Sequence, residues 1–214
     1  MDDTGNHSFV TARHTGPGAR ARAAVVDHWQ ALRNAGAAIP RRSDIDPRRI
    51  GAGLEYAFIA ERIAPGLARL RIAGTHLADL MGMEVRGMPL SAFVVPGDRD
   101  ALADALTELF DGPAAVRVTL RAPGGPGRPA LTGGLTLLPL RSDLGDVSRA
   151  LGSLATEGAA RPGRTPRRFG IVEISSTPLS AAAARAAGTA GVGSKAANLR
   201  PTRAPHLRLV TCDD

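Results

Sequence analysis

Between Leu67 and Asp111 the chain passes from strand to short helix to irregular turns to a longer helix, and that order limits the fold more than any single motif. Leu67 to Ala73 alternates, with Leu70 and Ile72 predicted on one side and Arg69 and Arg71 on the other, the period of a half-buried strand. Gly74-Thr75 ends it, Thr75 is placed to cap a short helix through Met81, and Gly82 is placed to stop that helix. Residues 84–95 read as irregular around a Gly87-x-Pro89-Leu90 turn, with one helical turn near Leu90 to Phe93. Asp98 then caps a helix to about Phe110, with Ala101, Leu102, Ala105, Leu106, Leu109 and Phe110 along one side and Asp100, Asp104 and Glu108 on the other. Such a series builds a small-molecule cradle and supplies no reactive group.

The flanking segments extend this plan in both directions. Residues 1–18 are polar and aperiodic, which reads as a disordered arm. Ala19 to Ala35 is helical in pattern, with Val25, Val26, Trp29 and Leu32 on one face. A helix this short gains little by exposing its only tryptophan, so it should dock on the domain, and this face is the candidate interface. Pro40 to Pro47 is a connector whose Arg41 and Arg42, like Arg48 and Arg49 beyond it, read as solvated charges beside Asp44 and Asp46. Asp46 can cap a short helix from Pro47 to about Ala52. Glu55 to Arg62 reads as a strand that Pro65-Gly66 turns into an antiparallel hairpin with Leu67 to Ala73. Val116 to Leu120, Leu131 to Leu140 and Ala150 to Thr156 supply three further strands. Gly133-Gly134 inside the second of these signals a bulge or a close backbone approach.

Beyond Glu157 the pattern breaks. Phe169 to Ile174 could form a small strand or turn, Ser180 to Gly188 a weak Ala-rich helix, and Pro205 to Val210 a short edge strand. The expected organisation is therefore an arm (1–18), a helix and connector (19–52), a domain (53–157) and a basic, mostly disordered tail rich in Pro, Gly and Ala (158–214).

A net charge of +7 suggests nucleic acid until it is located. Residues 23–157 carry fifteen arginines against fifteen acids, whereas residues 158–214 carry eight arginines and Lys195 against Glu173, Asp213 and Asp214. Residues 23–157 together are neutral and the excess lies in the tail. No aromatic platform interleaves the tail arginines, so binding to nucleic acid or an anionic surface is the weaker alternative. Cys212 is the only cysteine, which rules out an intrachain disulfide and a thiolate metal site. The N-terminus lacks the basic start and apolar run of a secretory signal, and no stretch approaches the ~18 apolar residues of a membrane span. A cytoplasmic setting is the expectation.

Histidines stand at 7, 14, 28, 76 and 206, without metal-ligand spacing. His76 is read as a polar residue at a helix start rather than a haem or metal ligand. The Gly124 to Arg128 loop is interrupted by proline and opens no helix, so it is no phosphate cradle. No Gly-x-Ser-x-Gly elbow and no His-Glu-x-x-His occurs. No catalytic residue and no metal site is expected, and the chain is read as no enzyme.

Two strands, a run of short helices, one longer helix and three strands is the plan of a PAS domain. The chain resembles the alphaproteobacterial family of stand-alone PAS-domain proteins. The likeness runs through Asp27-His28-Trp29, the Pro40 to Pro47 segment, Arg71-Ile72-Ala73-Gly74-Thr75, Gly87-Met88-Pro89-Leu90, Pro96-Gly97-Asp98-Arg99, Leu137-Leu138-Pro139-Leu140 and Arg149-Ala150-Leu151-Gly152. It departs at Gly133-Gly134, where that family carries bulkier residues. The resemblance implies an α+β fold in which a five-stranded antiparallel sheet packs its inner face against short helices around an apolar pocket. Candidates to line it are Ile72, His76, Leu77, Met81, Met83, Met88, Phe93, Leu102, Leu106, Val118 and Leu137. Simple packing of these residues into a core is the favoured reading, and an unidentified small ligand is the alternative. No cofactor is evident. The function implied is sensory and regulatory, through a homodimer or a signalling partner.

Overall fold

The computed structural model describes residues 16–36, 38–125, 128–157 and 166–179. Six strands, β1 (Ala57–Ala64), β2 (Leu67–Ala73), β3 (Ala114–Ala122), β4 (Leu131–Arg141), β5 (Val147–Glu157) and β6 (Gly170–Pro178), form one sheet in the order β2-β1-β5-β4-β3-β6. Every neighbouring pair is antiparallel. Helices α1 (Pro17–Asn34), α2 (Pro47–Ile50), α3 (Thr75–Met81) and α4 (Arg99–Asp111) are joined by short 3-10 turns.

Because side chains alternate along each strand, the sheet has two distinct faces. The inner face turns Phe58, Leu70, Val116, Val118, Leu137 and Leu154 toward α3, the turn at Leu90–Phe93 and α4. The outer face turns Leu138, Leu140 and Leu151 toward Val25 and Trp29 of α1 and Ile50 of α2. The sheet is thus the middle layer of three.

Local chemistry sets the joints. The Asp46 carboxylate accepts the Arg48 N–H at 2.9 Å and caps α2, as the sequence predicts. Gly66 takes φ +67° in the β1–β2 turn and Gly82 takes φ +69° at the end of α3, conformations that cost a side-chain-bearing residue about 1–2 kcal/mol. Pro139 sits inside β4, a position that normally rejects proline. β3 pairs with β4 only as far as Leu137, so at Pro139 one flank of β4 has no strand beside it. The Trp29 indole N–H donates to the Pro139 carbonyl at 3.1 Å, so burying the ring leaves no polar group unpaired.

Three expectations change. First, the sheet has six strands rather than five, because the segment read above as a small strand or turn at Phe169 to Ile174 extends over Gly170–Pro178 and pairs along β3. The fully buried Phe169 anchors it, donating its N–H to the Phe93 carbonyl at 2.8 Å and accepting the Val95 N–H at 3.0 Å. Second, Asp98 begins α4 but its side chain makes no cap hydrogen bond there. Its Oδ2 accepts the Ile171 N–H at 2.8 Å and ties α4 to β6 instead. Third, Thr75 is the first helical residue of α3 rather than its cap, a place taken by Gly74. The arm at 1–15, the Ala-rich segment from 180 and the strand proposed at 205–210 lie outside the described residues.

Candidate functional site

The cup on the inner face gathers most of the residues proposed for a pocket. Leu77, Met81, Phe93, Leu102, Leu106, Val118 and Leu137 belong to one buried cluster, and Met88 packs partly buried against it. Two candidates lie elsewhere. Ile72 is 52% exposed because the β1–β2 register shifts between Ile59 and Ala60, leaving no β1 residue directly opposite Arg71. The bulge breaks the alternation after Leu70 and turns Ile72 outward beside Ile59, which faces the outer cluster. Met83 follows the left-handed Gly82 at the end of α3 and is also 52% exposed.

His76 is buried at the start of α3, with Nε2 3.1 Å from the Thr156 hydroxyl and its ring centroid 4.7 Å from that of Tyr56. Burial lowers its pKa, while Glu55 and Asp79 pull the other way. The neutral imidazole is therefore favoured, and it joins α3 to the end of β5. Among the described residues no group of three His, Cys, Asp or Glu side chains could hold a metal ion.

The cup is filled by its own side chains. The Phe58 ring lies against Gly152 so closely that a Cβ there would come within 2.1 Å of it. Phe169 enters the same cluster from the strand-β6 side. Neither was among the candidates. Phe169 stands after Arg167-Arg168, where no periodicity marks it. Gly152 could have been noticed as a glycine in a strand interior.

The outer face differs across its width. Its centre is covered by α1, where Val25 and Trp29 are fully buried inside the chain, while Val26 and Leu32 remain partly accessible. The β1–β2 flank carries a charge cluster. Glu61 accepts from Arg149 at 2.7 Å, from Arg69 at 3.0 Å and from Arg71 at 3.2 Å. Burial pushes the Glu61 carboxyl up, but the Arg69 hydrogen bond and the charges of Arg149, Arg71 and Arg69 outweigh it and hold the pKa below its ordinary value. One carboxylate thus organises three guanidinium groups and leaves a positive excess beside Ile59 and Ile72. The symmetric placing of Glu61 and Arg69 about Pro65-Gly66 was the available sequence signal for this pair.

No curated protein matches the sequence. Similar solved structures include the light-state structure of the blue-light photoreceptor Aureochrome1 LOV, with 13% identity over 50% of this chain and 84% of that one and a TM-score of 0.35. A light-oxygen-voltage domain studied with a flavin analogue gives 18% identity, 52% and 84% coverage and a TM-score of 0.37. An RNA-binding light-oxygen-voltage receptor gives 20% identity, 72% of this chain against 36% of that one, and a TM-score of 0.34. The sequence pattern of the PAS domain matches residues 18–155, which span α1, the cup and all but the end of β5. A match over that much of the chain, on a sheet closed by short helices and α4, places this protein in the PAS-domain family.

Proposed function

We propose that this protein is a non-catalytic sensory and regulatory PAS protein that acts by docking onto an acidic partner in signal transduction. The observation that supports this is the β1–β2 flank, which no helix or strand among the described residues covers. Ile72 is exposed there beside a carboxylate that holds Arg69, Arg71 and Arg149 in place. A preorganised basic cluster next to exposed apolar surface suits a segment of mixed acidic and apolar character. Two copies meeting through this flank would oppose like charges, so a signalling partner is favoured over a homodimer at this surface.

Small-ligand binding in the cup is the accompanying proposal. It requires Phe58, Phe93 and Phe169 to give way, with Leu77, Met81, Met88, Leu102 and Leu106 then lining the space. Native mass spectrometry of the purified full chain separates these readings. A single-chain mass without an adduct is expected. A dimer that disappears in Arg69→Ser/Arg71→Ser would move the interface to self-association, and a stoichiometric bound molecule would move the function to ligand sensing.

A further inference from the structure

The flank over β1 and β2 has a closed edge and an open face. β2 is the last strand on its side of the sheet. Its outward backbone groups at Leu70 are already taken. The Leu70 N–H donates to the Met88 carbonyl at 2.9 Å, and the Gly87 N–H donates to the Leu70 carbonyl at 2.7 Å. A further strand could join β2 here only by expelling the turn at 87–89. A partner that docks on this flank therefore lies on the outer face. That face lends no backbone hydrogen bonds, because those of β1 and β2 run within the plane of the sheet. A segment resting on it must satisfy its own N–H and C=O groups, which a helix does and an extended chain does not. Helix α1 shows this arrangement on the neighbouring strands, with Val25 and Trp29 buried against Leu138, Leu140 and Leu151.

The side chains on the open face form two rungs. Ile59 and Ile72 stand opposite each other as one cross-strand pair, and Glu61 and Arg69 make the next pair on the same face. Ile72 is exposed, and Ile59 is partly buried against the outer cluster. Glu61 gathers Arg69, Arg71 and Arg149 around one carboxylate, so the second rung carries a positive excess. Arg62 adds nothing to it, since it turns to the inner face and pairs with Asp111 of α4. Two residues of strand separate the rungs by about 7 Å. Three or four residues of helix advance about 4.5–6 Å and return to the same side. An apolar and an acidic side chain at that spacing on a helix would meet the isoleucine pair and the arginines together.

Building on the docking function set out above, we propose that the partner element this flank recognises is an acidic amphipathic helix of another protein, laid along β1 and β2 as a further helix of the outer layer. Its carboxylates take the outward donors of Arg69 and Arg71, which are about half open to water. Its apolar stripe covers Ile72 and the exposed part of Ile59.

The test selects peptides by display on the full-length protein, from a randomised stretch of about 16 residues, roughly four helical turns. Selected sequences are synthesised and titrated against the wild-type chain, Arg69→Ser/Arg71→Ser and Ile72→Ser. Binding is read by fluorescence anisotropy and conformation by circular dichroism. Both variants alter exposed side chains and should keep the wild-type thermal midpoint. The expected binders are acidic, repeat their apolar and acidic residues every three or four positions, gain helical signal when bound, and weaken at least about tenfold on each variant. Peptides that need the arginines but alternate every second residue, or gain no helical signal, would overturn the helix while leaving the docking flank in place. Helical peptides weakened by only one of the variants would overturn the two-rung register. A selection that returns no peptide sensitive to either variant would overturn the docking function, and the helix with it. Sedimentation of the same three proteins covers the remaining occupant, since a dimer lost in both variants would assign the face to a second copy of this chain and overturn the proposal.

Discussion

The two faces of the sheet are built from the same strands but to different standards of closure. On the inner face aromatic and aliphatic side chains from strands, helices and Phe169 close over one another. On the outer face the described residues close the middle, through Trp29 and its neighbours on α1, while both flanks keep arginines at the surface. The contrast teaches where specificity resides. A filled interior fixes the fold, and a half-covered exterior with organised charge is left to recognise something else.

The largest expected effect tests whether both layers are needed. Phe169→Ala removes a fully buried ring from the inner layer and Trp29→Ala removes one from the outer. Each should destabilise by about 3–5 kcal/mol in chemical denaturation. A loss confined to Phe169 would mean that α1 is an accessory rather than part of the core.

The next effect contrasts two glycines on adjacent strands. Gly152→Ala would drive a methyl group into the Phe58 ring on the crowded inner face, with an expected loss of about 1–3 kcal/mol. Gly134→Ala meets only the end of Arg22 and should be neutral or stabilising by up to about 1 kcal/mol. Equal losses from the two would erase the asymmetry between the faces.

Acid should act on both layers through histidines. The His28 Nε2 accepts the Asp46 N–H at 3.1 Å and so fastens the connector to α1. Burial and then Arg49 lower the pKa of His28, with Asp46 opposing, and burial lowers that of His76. Below about pH 6.5 the unfolded chain therefore binds more protons than the folded one. The stability these groups contribute is complete above that pH and is lost as pH falls through the lower folded-state values. Urea midpoints at pH 7.5 and pH 5.5 should show the decline, and His28→Gln and His76→Gln should each reduce it. The smallest effect belongs to the basic flank. Glu61→Gln should change stability by no more than about 1 kcal/mol, because Arg69 and Arg71, two of the three guanidinium groups around it, are about half open to water. A larger loss would make that flank part of the structural core.

Residues with local consequences were legible without the fold. Asp46 and Pro47 begin a helix, Pro65-Gly66 makes a tight turn, and the α4 stripe from Leu102 to Phe110 faces the core. Much of the cup followed from them. Ile72 and Met83 were misplaced because a bulge and a left-handed residue each interrupt the period on which the reading depends. The arginine seat at Gly134 could be anticipated only as a close approach, since its occupant lies more than a hundred residues earlier in the chain.

By itself the sequence determined the order of strands and helices up to β5, the turns between them and the charge balance of residues 23–157, because these depend on neighbours in the chain and on composition. Tertiary structure alone decided that Gly170–Pro178 joins the sheet, that Trp29 serves the chain's own core, and that Glu61 gathers three arginines. Those outcomes rest on contacts between distant residues, whose free energy exists only once the sheet has brought them together.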